Sequence, residues 1–517
     1  MIRHRMRLIG GASAAMVVLG AFGATAAAAA PGKGPDNAGP RYTAGASGVG
    51  DAYFPFAGNG GYDVQHYDLA IRYQPPVATV PATPIANIRG EFDGVATIDL
   101  VATQDLDRFN LDLRGMDVRS VTVNGKRATG IEPPVAGQVV DGAAYWHVQN
   151  ADQREWELTI QPRPKLKAGQ SARLVIEYGG QTSRPTDIEN APYGWYTTRD
   201  GAMVASEPDG SMTWYPVSDH QTDKATYSFA IAVPEGKVAV ANGIQPKPAE
   251  TANGWTTWFW DAPDQQASYL TTASVGDFIL RPTYFSASGV PIIDAVDSKI
   301  TGNALNTTNA SLALQPAMID FMEQYFGEYP FVAYGASVDN DSLGYALETQ
   351  TRPVYSGTAT QGTTLHELSH QWFGNAVSPE RWQDIWLNEG WATYATWMWT
   401  AHRGGISAQQ AYNNWYAPAR TQAYWDFQIG DPGNMGLFAP QVYNKGAATL
   451  HALRVEVGDT AFFNAAKLWL ERYDDSAGTS EDFQAIYEEV SGKDLDGFFQ
   501  TWLYDQVKPP ATWTITP

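Results

Sequence analysis

His366-Glu367-Leu368-Ser369-His370 places two imidazoles four residues apart, and Glu389 follows after eighteen intervening residues in Asn388-Glu389-Gly390-Trp391-Ala392. On a helix, residues four apart share a face, so both rings can address one ion. A hydrolytic zinc site takes three protein ligands and keeps a fourth position for water. His366 and His370 supply two ligands and Glu389 is the obvious third. Glu367 lies beside the first histidine and is free to act as general base on that water. The pattern predicts one zinc ion per chain and a hydrolytic reaction. A bare His-Glu-x-x-His arises by chance in roughly one chain in a hundred of this length. The glutamate and its flanking Trp386-Leu387-Asn388 make coincidence rarer, against the plainer reading of two histidines satisfied inside a core helix.

The flanking sequence supplies the elements that such a site needs. Gly362-Thr363-Thr364 leads into the motif, Gln371-Trp372-Phe373 continues it as helix, and Gly374-Asn375 reads as the helix end. Ser378-Pro379-Glu380 reads as the cap, first position and acidic first turn of a short connecting helix. A second helical pattern runs from Glu389 through Trp391, Ala392, Ala395 and Trp399, and would bring Glu389 to face the two histidines. Upstream, Val95–Val101, Val118–Val123, Phe229–Val233 and Val238–Val240 read as strands, with Asn124-Gly125 a strong hairpin turn. From about Ser286 the pattern becomes helical, over Ala310–Tyr325, Ser407–Tyr416, Lys445–Val457, Thr460–Tyr473 and Ser480–Val490. The expected organisation is a leader over 1–30, a Gly/Pro/Ala/Ser linker over 31–50, a β domain over 51–285 and a catalytic domain over 286–517. Asp339-Asn340-Asp341 lacks the later ligands of a calcium loop, since Leu343 and Gln350 stand at those positions, so it reads as turn chemistry.

Composition narrows the function classes. Arg3, Arg5 and Arg7, the apolar run Leu8–Ala24 and the small residues Ala26–Ala30 have the form of an export leader, with a membrane anchor the weaker alternative. The expected location is secreted or extracellular, with periplasm or cell surface as variants, and no stable membrane insertion after cleavage of the leader. The chain has no cysteine, which rules out disulfides, thiolate metal sites and cysteine nucleophiles. With 34 basic and 55 acidic residues the formal charge is −21, which argues against a nucleic-acid partner. The 18 tryptophans could line a carbohydrate-binding face, but core packing accounts better for most of them.

Several further segments resemble the aminopeptidase N-like zinc peptidases, part of the gluzincins. Phe326-Gly327-Glu328-Tyr329-Pro330-Phe331 is similar to that family's entry into the catalytic domain, and Ala346-Leu347-Glu348-Thr349 to its exopeptidase signature Gly-Ala-Met-Glu-Asn. Tyr443-Asn444-Lys445-Gly446-Ala447 resembles the segment with its catalytic tyrosine, and Ser206-Glu207-Pro208 with Trp214-Tyr215-Pro216 and Asp219 resembles its β-domain contribution to the site. The resemblance implies an α+β multidomain fold, with an N-terminal antiparallel, saddle-like β domain before a thermolysin-like, mainly helical catalytic domain carrying a small sheet. It implies substrate contacts from Glu348, Glu207 and Ala346, the glutamates binding a free α-ammonium, and an oxyanion contact from Tyr443. A phenol with an ordinary pKa near 10 is protonated at neutral pH and able to donate.

The expected partners are peptides with free N-termini. Lys445 reads as a surface residue at a helix start. Two departures stand out: Tyr345 occupies the signature's glycine position unless Gly344 fills it, and Thr349 replaces the asparagine. The short segment after Trp502, ending in Thr512–Thr516 as a stray strand, implies a more open site than in larger relatives. The rival readings are an open-groove zinc endopeptidase, a family member using zinc on another hydrolysis such as an epoxide, and a non-catalytic binding protein on the same scaffold.

Overall fold

Side chains alternate between buried and exposed along Tyr62–Gln74 and Glu91–Ala102, the pattern of strands with one face on a core. The computed structural model describes residues 42–77 and 84–513, so the leader, the early linker and Thr514–Thr516 of the expected last strand lie outside the described residues. The two alternating strands lie inside an eight-stranded sheet. Its order is Glu250–Ala252, Trp255–Gln266, Ala225–Pro234, Tyr62–Gln74, Glu91–Ala102, Ser171–Gln181, Asp117–Val123 and Lys126–Arg127. Its register sets Leu69 opposite Ala96 and Ile98 opposite Leu174, and all four are buried. Asn124 and Gly125 both have positive φ, 49° and 74°, as a two-residue hairpin turn requires. Most neighbours in this sheet are antiparallel, but Ala225–Pro234 runs parallel to Tyr62–Gln74. A parallel neighbour needs a long crossover, and the strands between them in the chain supply it.

A five-stranded sheet containing Leu106–Asp112 and Glu157–Gln161 packs on this core. A four-stranded sheet, Gly194–Thr197, Ala202–Ala205, Ala273–Gly276 and Val238–Ala241, carries the chain toward the helices. There a small sheet of Phe278–Leu280, Pro291–Asp297, Tyr334–Asp339 and Val354–Ser356 has Tyr284–Phe285 alongside. Asp339 caps its own turn by accepting the Asp341 N–H at 2.8 Å, the turn chemistry expected for that acidic stretch.

The helices are α1 (Gly302–Leu312), α2 (Gln315–Phe326), α3 (Gln361–His370), α4 (Trp386–His402), α5 (Ala408–Tyr416), α6 (Gln422–Trp425), α7 (Pro440–Val457), α8 (Asp459–Arg472), α9 (Ser480–Ser491) and α10 (Asp496–Phe499). Four expectations about these segments need correction. The single helix over Ala310–Tyr325 is two, because Pro316 sits at the start of α2, where its missing N–H does no harm but where it cannot continue α1. Ser378-Pro379 is not a helix start: Val377–Pro379 is a strand pairing with Ser476–Gly478, and that tertiary pairing overrides the local capping preference. α7 begins five residues before Lys445, so Lys445 lies inside the helix and is fully buried. Ala511–Trp513, at the start of the expected last strand, forms a 3-10 turn.

The helical core is aromatic. Trp391 stacks on Phe373 with ring centroids 4.2 Å apart, and Trp372, Trp382, Trp386 and Trp502 are fully buried. Core packing thus uses many of the tryptophans. Sheet and helices share one core, in which Phe54, Tyr269 and Leu270 meet α3 and α4 residues. Buried Lys224 adds a polar strut, donating from Nζ to the carbonyls of Asn375 at 2.9 Å and Ala376 at 3.0 Å. No helix among the described residues is long and apolar enough to cross a membrane.

Candidate functional site

Thr360 caps α3 by accepting the Thr363 N–H, and the helix then presents His366 and His370 on one face. It ends at His370, short of Gln371-Trp372-Phe373. The turn that follows hands the Asn375 N–H to the His370 carbonyl. Gly374 has φ +123°, and a Cβ there would lie 3.0 Å from Asn388 Nδ2, so the turn packs against α4 as only glycine allows. α4 carries Glu389 to meet the histidines: its Oε2 is 3.0 Å from His366 Nε2 and 3.5 Å from His370 Nε2. The three ligand atoms lie within 4.8 Å of one another. His370 Nδ1 donates to the Phe373 carbonyl at 3.1 Å, which leaves Nε2 as the nitrogen facing the site.

α7 approaches α4 at a glycine pair. A Cβ on Gly446 would lie 2.9 Å from Gly390 Cα, so two backbones touch where larger residues would hold them apart. This crossing stacks the Tyr443 ring beside His366, with centroids 5.9 Å apart. Glu348 comes from the segment after the small sheet's central strand. Its carbonyl accepts from Gln371 Nε2 at 3.1 Å and Asn375 Nδ2 at 2.9 Å, which fixes it to the turn after α3. Glu207 lies two residues beyond the end of the strand Ala202–Ala205 of the four-stranded sheet. A cavity of about 310 Å³ is lined by all eight residues that the sequence nominated: His366, Glu367, His370, Glu389, Tyr443, Glu348, Glu207 and Ala346.

The electrostatics of this cavity call for cations. Burial and the charges of its neighbours push the Glu207 carboxyl well above the usual range. Glu367 is raised likewise, chiefly by burial. His370 goes the other way: burial disfavours its charge, but Glu348 and Glu389 outweigh it and push it up to about 10. Burial would raise Glu389, but the two histidines hold it down to about 2. Protons are thus held where a metal would sit, and a divalent cation would displace them. Two imidazole nitrogens and a carboxylate oxygen at this spacing fit zinc. Glu207 Oε1 and Glu348 Oε1 are buried with no hydrogen-bond partner among the described residues, which suits a cationic group from outside. Tyr443 is raised by burial and by Glu389, so its hydroxyl keeps its proton at neutral pH.

Five further lining residues, Asp187, Glu189, Ala191, Tyr345 and Phe438, are not among the site residues that the sequence nominates. Asp187-Ile188-Glu189-Asn190 reads as an ordinary acidic loop, and no local pattern marks it as facing a site more than 150 residues away in the chain. Tyr345 was noticed only as a departure from a signature.

Two family descriptions match the chain, the Peptidase M1 N-terminal domain over residues 64–270 and the Peptidase family M1 domain over 345–502. Among curated relatives, Aminopeptidase N of Streptomyces lividans is 26% identical over 305 residues, covering 54% of this chain and 35% of that protein. Endoplasmic reticulum aminopeptidase 1 of Homo sapiens is 24% identical over 470 residues, covering 84% of this chain and 46% of that protein. The chain therefore spans less than half the length of these relatives. The crystal structure of the M1 zinc metallopeptidase from Deinococcus radiodurans is 25% identical and superposes with a TM-score of 0.75, over 90% of this chain and 99% of that one. With N-terminal and catalytic descriptions matched in order over more than half its length, the chain belongs to peptidase family M1.

Proposed function

We propose that this chain is a zinc-dependent aminopeptidase that removes N-terminal residues from peptides with a free amine. One observation carries the reading: the buried, unpartnered oxygens of Glu207 and Glu348 share one cavity with the His366/His370/Glu389 cluster. Zinc bound by those three residues supplies Lewis acidity toward a carbonyl and makes water acidic enough to attack at neutral pH. Glu367 takes a proton from the attacking water onto a carboxylate oxygen and passes it to the leaving amine. The Tyr443 hydroxyl donates to the carbonyl oxygen as that oxygen becomes negative. Glu207 and Glu348 receive the α-ammonium by charge-assisted hydrogen bonds, placing the first peptide bond over Glu367. Ala346 borders the same cavity and its small side chain leaves room for the substrate. The Deinococcus enzyme has also been crystallised with a Tyr-Ser-Ala substrate, which supports peptides as the substrate class. The basic and apolar N-terminal segment supports export, and the acidic surplus of the chain favours peptide over nucleic acid.

The reading is tested with paired peptides, free and N-acetylated. Acetylation removes the positive charge and sets two buried carboxylates against a neutral amide. It should cost at least about 1.5–3 kcal/mol, more than tenfold in kcat/KM. Efficient internal cleavage of acetylated peptides would instead establish the open-groove endopeptidase.

A further inference from the structure

The loop Thr186–Pro192 borders the cavity and is held from inside and outside. A bridge between Thr186 and Pro192 closes it. Asp187 organises its interior: Oδ1 accepts the N–H groups of Glu189 and Ala191, both at 2.8 Å. From outside, the Tyr345 hydroxyl donates to the Pro192 carbonyl at 2.6 Å. Tyr345, which stands against the family's glycine unless Gly344 fills that position, thereby ties the loop to the segment that carries Glu348. Asp187 is 8% exposed, and Glu189 makes no ion pair and accepts no side-chain hydrogen bond among the described residues.

Six carboxylates line this one cavity. The function proposed above gives Glu389 to the metal, Glu367 to the proton, and Glu207 and Glu348 to the α-ammonium. Asp187 and Glu189 are left over, and a divalent metal with one α-ammonium leaves the cavity negative. The side chain of the N-terminal residue springs from the same carbon as the clamped α-ammonium, so it must occupy what remains of the cavity. We propose that Asp187 and Glu189 form a subsite for a second cation on the substrate, the guanidinium or ammonium of an N-terminal arginine or lysine, with Tyr345 and Phe438 covering the alkyl stem. Long basic side chains pack their stems on apolar and aromatic surface while the charged head reaches a carboxylate. A loop fixed before binding adds selectivity without the entropy cost of ordering it.

This inference rests on the aminopeptidase reading, and the two can fail separately. The zinc-loaded full chain is assayed on arginyl, lysyl, leucyl and glutamyl fluorogenic amides. Arginyl and lysyl amides should exceed leucyl by at least about tenfold in kcat/KM, with glutamyl slowest. Glu189→Gln should lower the arginyl-to-leucyl ratio about fivefold or more, as loss of a charge-assisted contact does. Tyr345→Phe keeps the ring but frees Pro192, and should lower the same ratio less. A leucyl preference, or a ratio unmoved by Glu189→Gln, overturns the subsite and leaves the aminopeptidase standing. If no free aminoacyl amide is cleaved, the aminopeptidase reading falls, and calorimetric binding of free L-arginine and L-leucine to Glu367→Ala decides the subsite by itself. Arginine binding no tighter than leucine overturns it; tighter binding that Glu189→Gln abolishes upholds it.

Discussion

The proposed function gives the chain neighbours Glu367 and His366 separable roles, and substitution tells them apart. Glu367→Gln keeps the shape and removes the proton acceptor, so zinc content should stay near one per chain while kcat falls by about 10²–10⁴. His366→Ala should lose the metal itself, read by metal analysis after dialysis. A Glu367→Gln enzyme with near-normal turnover would mean that another group is the base. Tyr443→Phe removes a hydrogen bond made mainly in the transition state and should lower kcat by about 10²–10³ with little change in KM. Raised KM at constant kcat would make Tyr443 a binding residue only. At this scale the sequence was informative wherever spacing alone dictates geometry. The His366/His370 pair needs only a helix, and Glu389 only a second helix nearby. Lys445 misled because helix starts are set by packing as well as by local preference. It lies inside α7, where burial pulls its ammonium down to about 8, and its Nζ points to the Phe427 carbonyl at 3.5 Å.

The crossing of α4 and α7 sets the distance from the His366/His370/Glu389 cluster to Tyr443. Gly390 and Gly446 make it possible, since a Cβ on Gly390 would lie 3.0 Å from the Gly446 carbonyl carbon. Gly446→Ala gains about 1 kcal/mol of helix propensity. It must also push backbone against backbone, and overpacking of this kind costs about 1–3 kcal/mol. A small net loss in Tm is expected, with a larger fall in kcat measured well below the melting range, because a displacement of about 1 Å can cost a hundredfold. Unchanged kcat and Tm would show that the helices can part without disturbing the site. Gly446 was legible as part of a motif, but its contact with Gly390 was not, because nothing local records which helices cross. The same limit explains Val377–Pro379. Its residues favour a helix start, and its strand exists only because Ser476–Gly478 lies alongside. Where turn chemistry alone decides, as at Asn124-Gly125, the sequence reading and the structure agree.

Across the whole molecule the sheets and helices build one site between them, and the sheet half bears a cost of its own in buried acid. Asp112 and Glu157 face each other across neighbouring strands, 1% and 3% exposed. Asp112 Oδ2 accepts the N–H groups of Gly58 and Asp219, but neither Glu157 oxygen has a partner among the described residues. Neither residue stands out in the sequence, because an acid at an inward strand position looks like any other until the opposing strand is known. Burial, and then the charge of Asp112, raises the Glu157 carboxyl far above its ordinary value. The folded chain therefore keeps a proton that the unfolded chain releases above about pH 4.3. By linkage this stabilisation is fully present below that pH and is lost as pH rises through neutrality toward the raised folded value. Glu157→Gln removes the titration and leaves the side-chain shape almost unchanged. The Tm of the variant minus that of the parent should accordingly increase steadily from pH 5 to pH 9, measured in the presence of zinc so that the metal site contributes equally to both. A difference that is flat or shrinks with pH would mean that Glu157 is already ionised in the folded chain, held by a cation or by water inside the sheet.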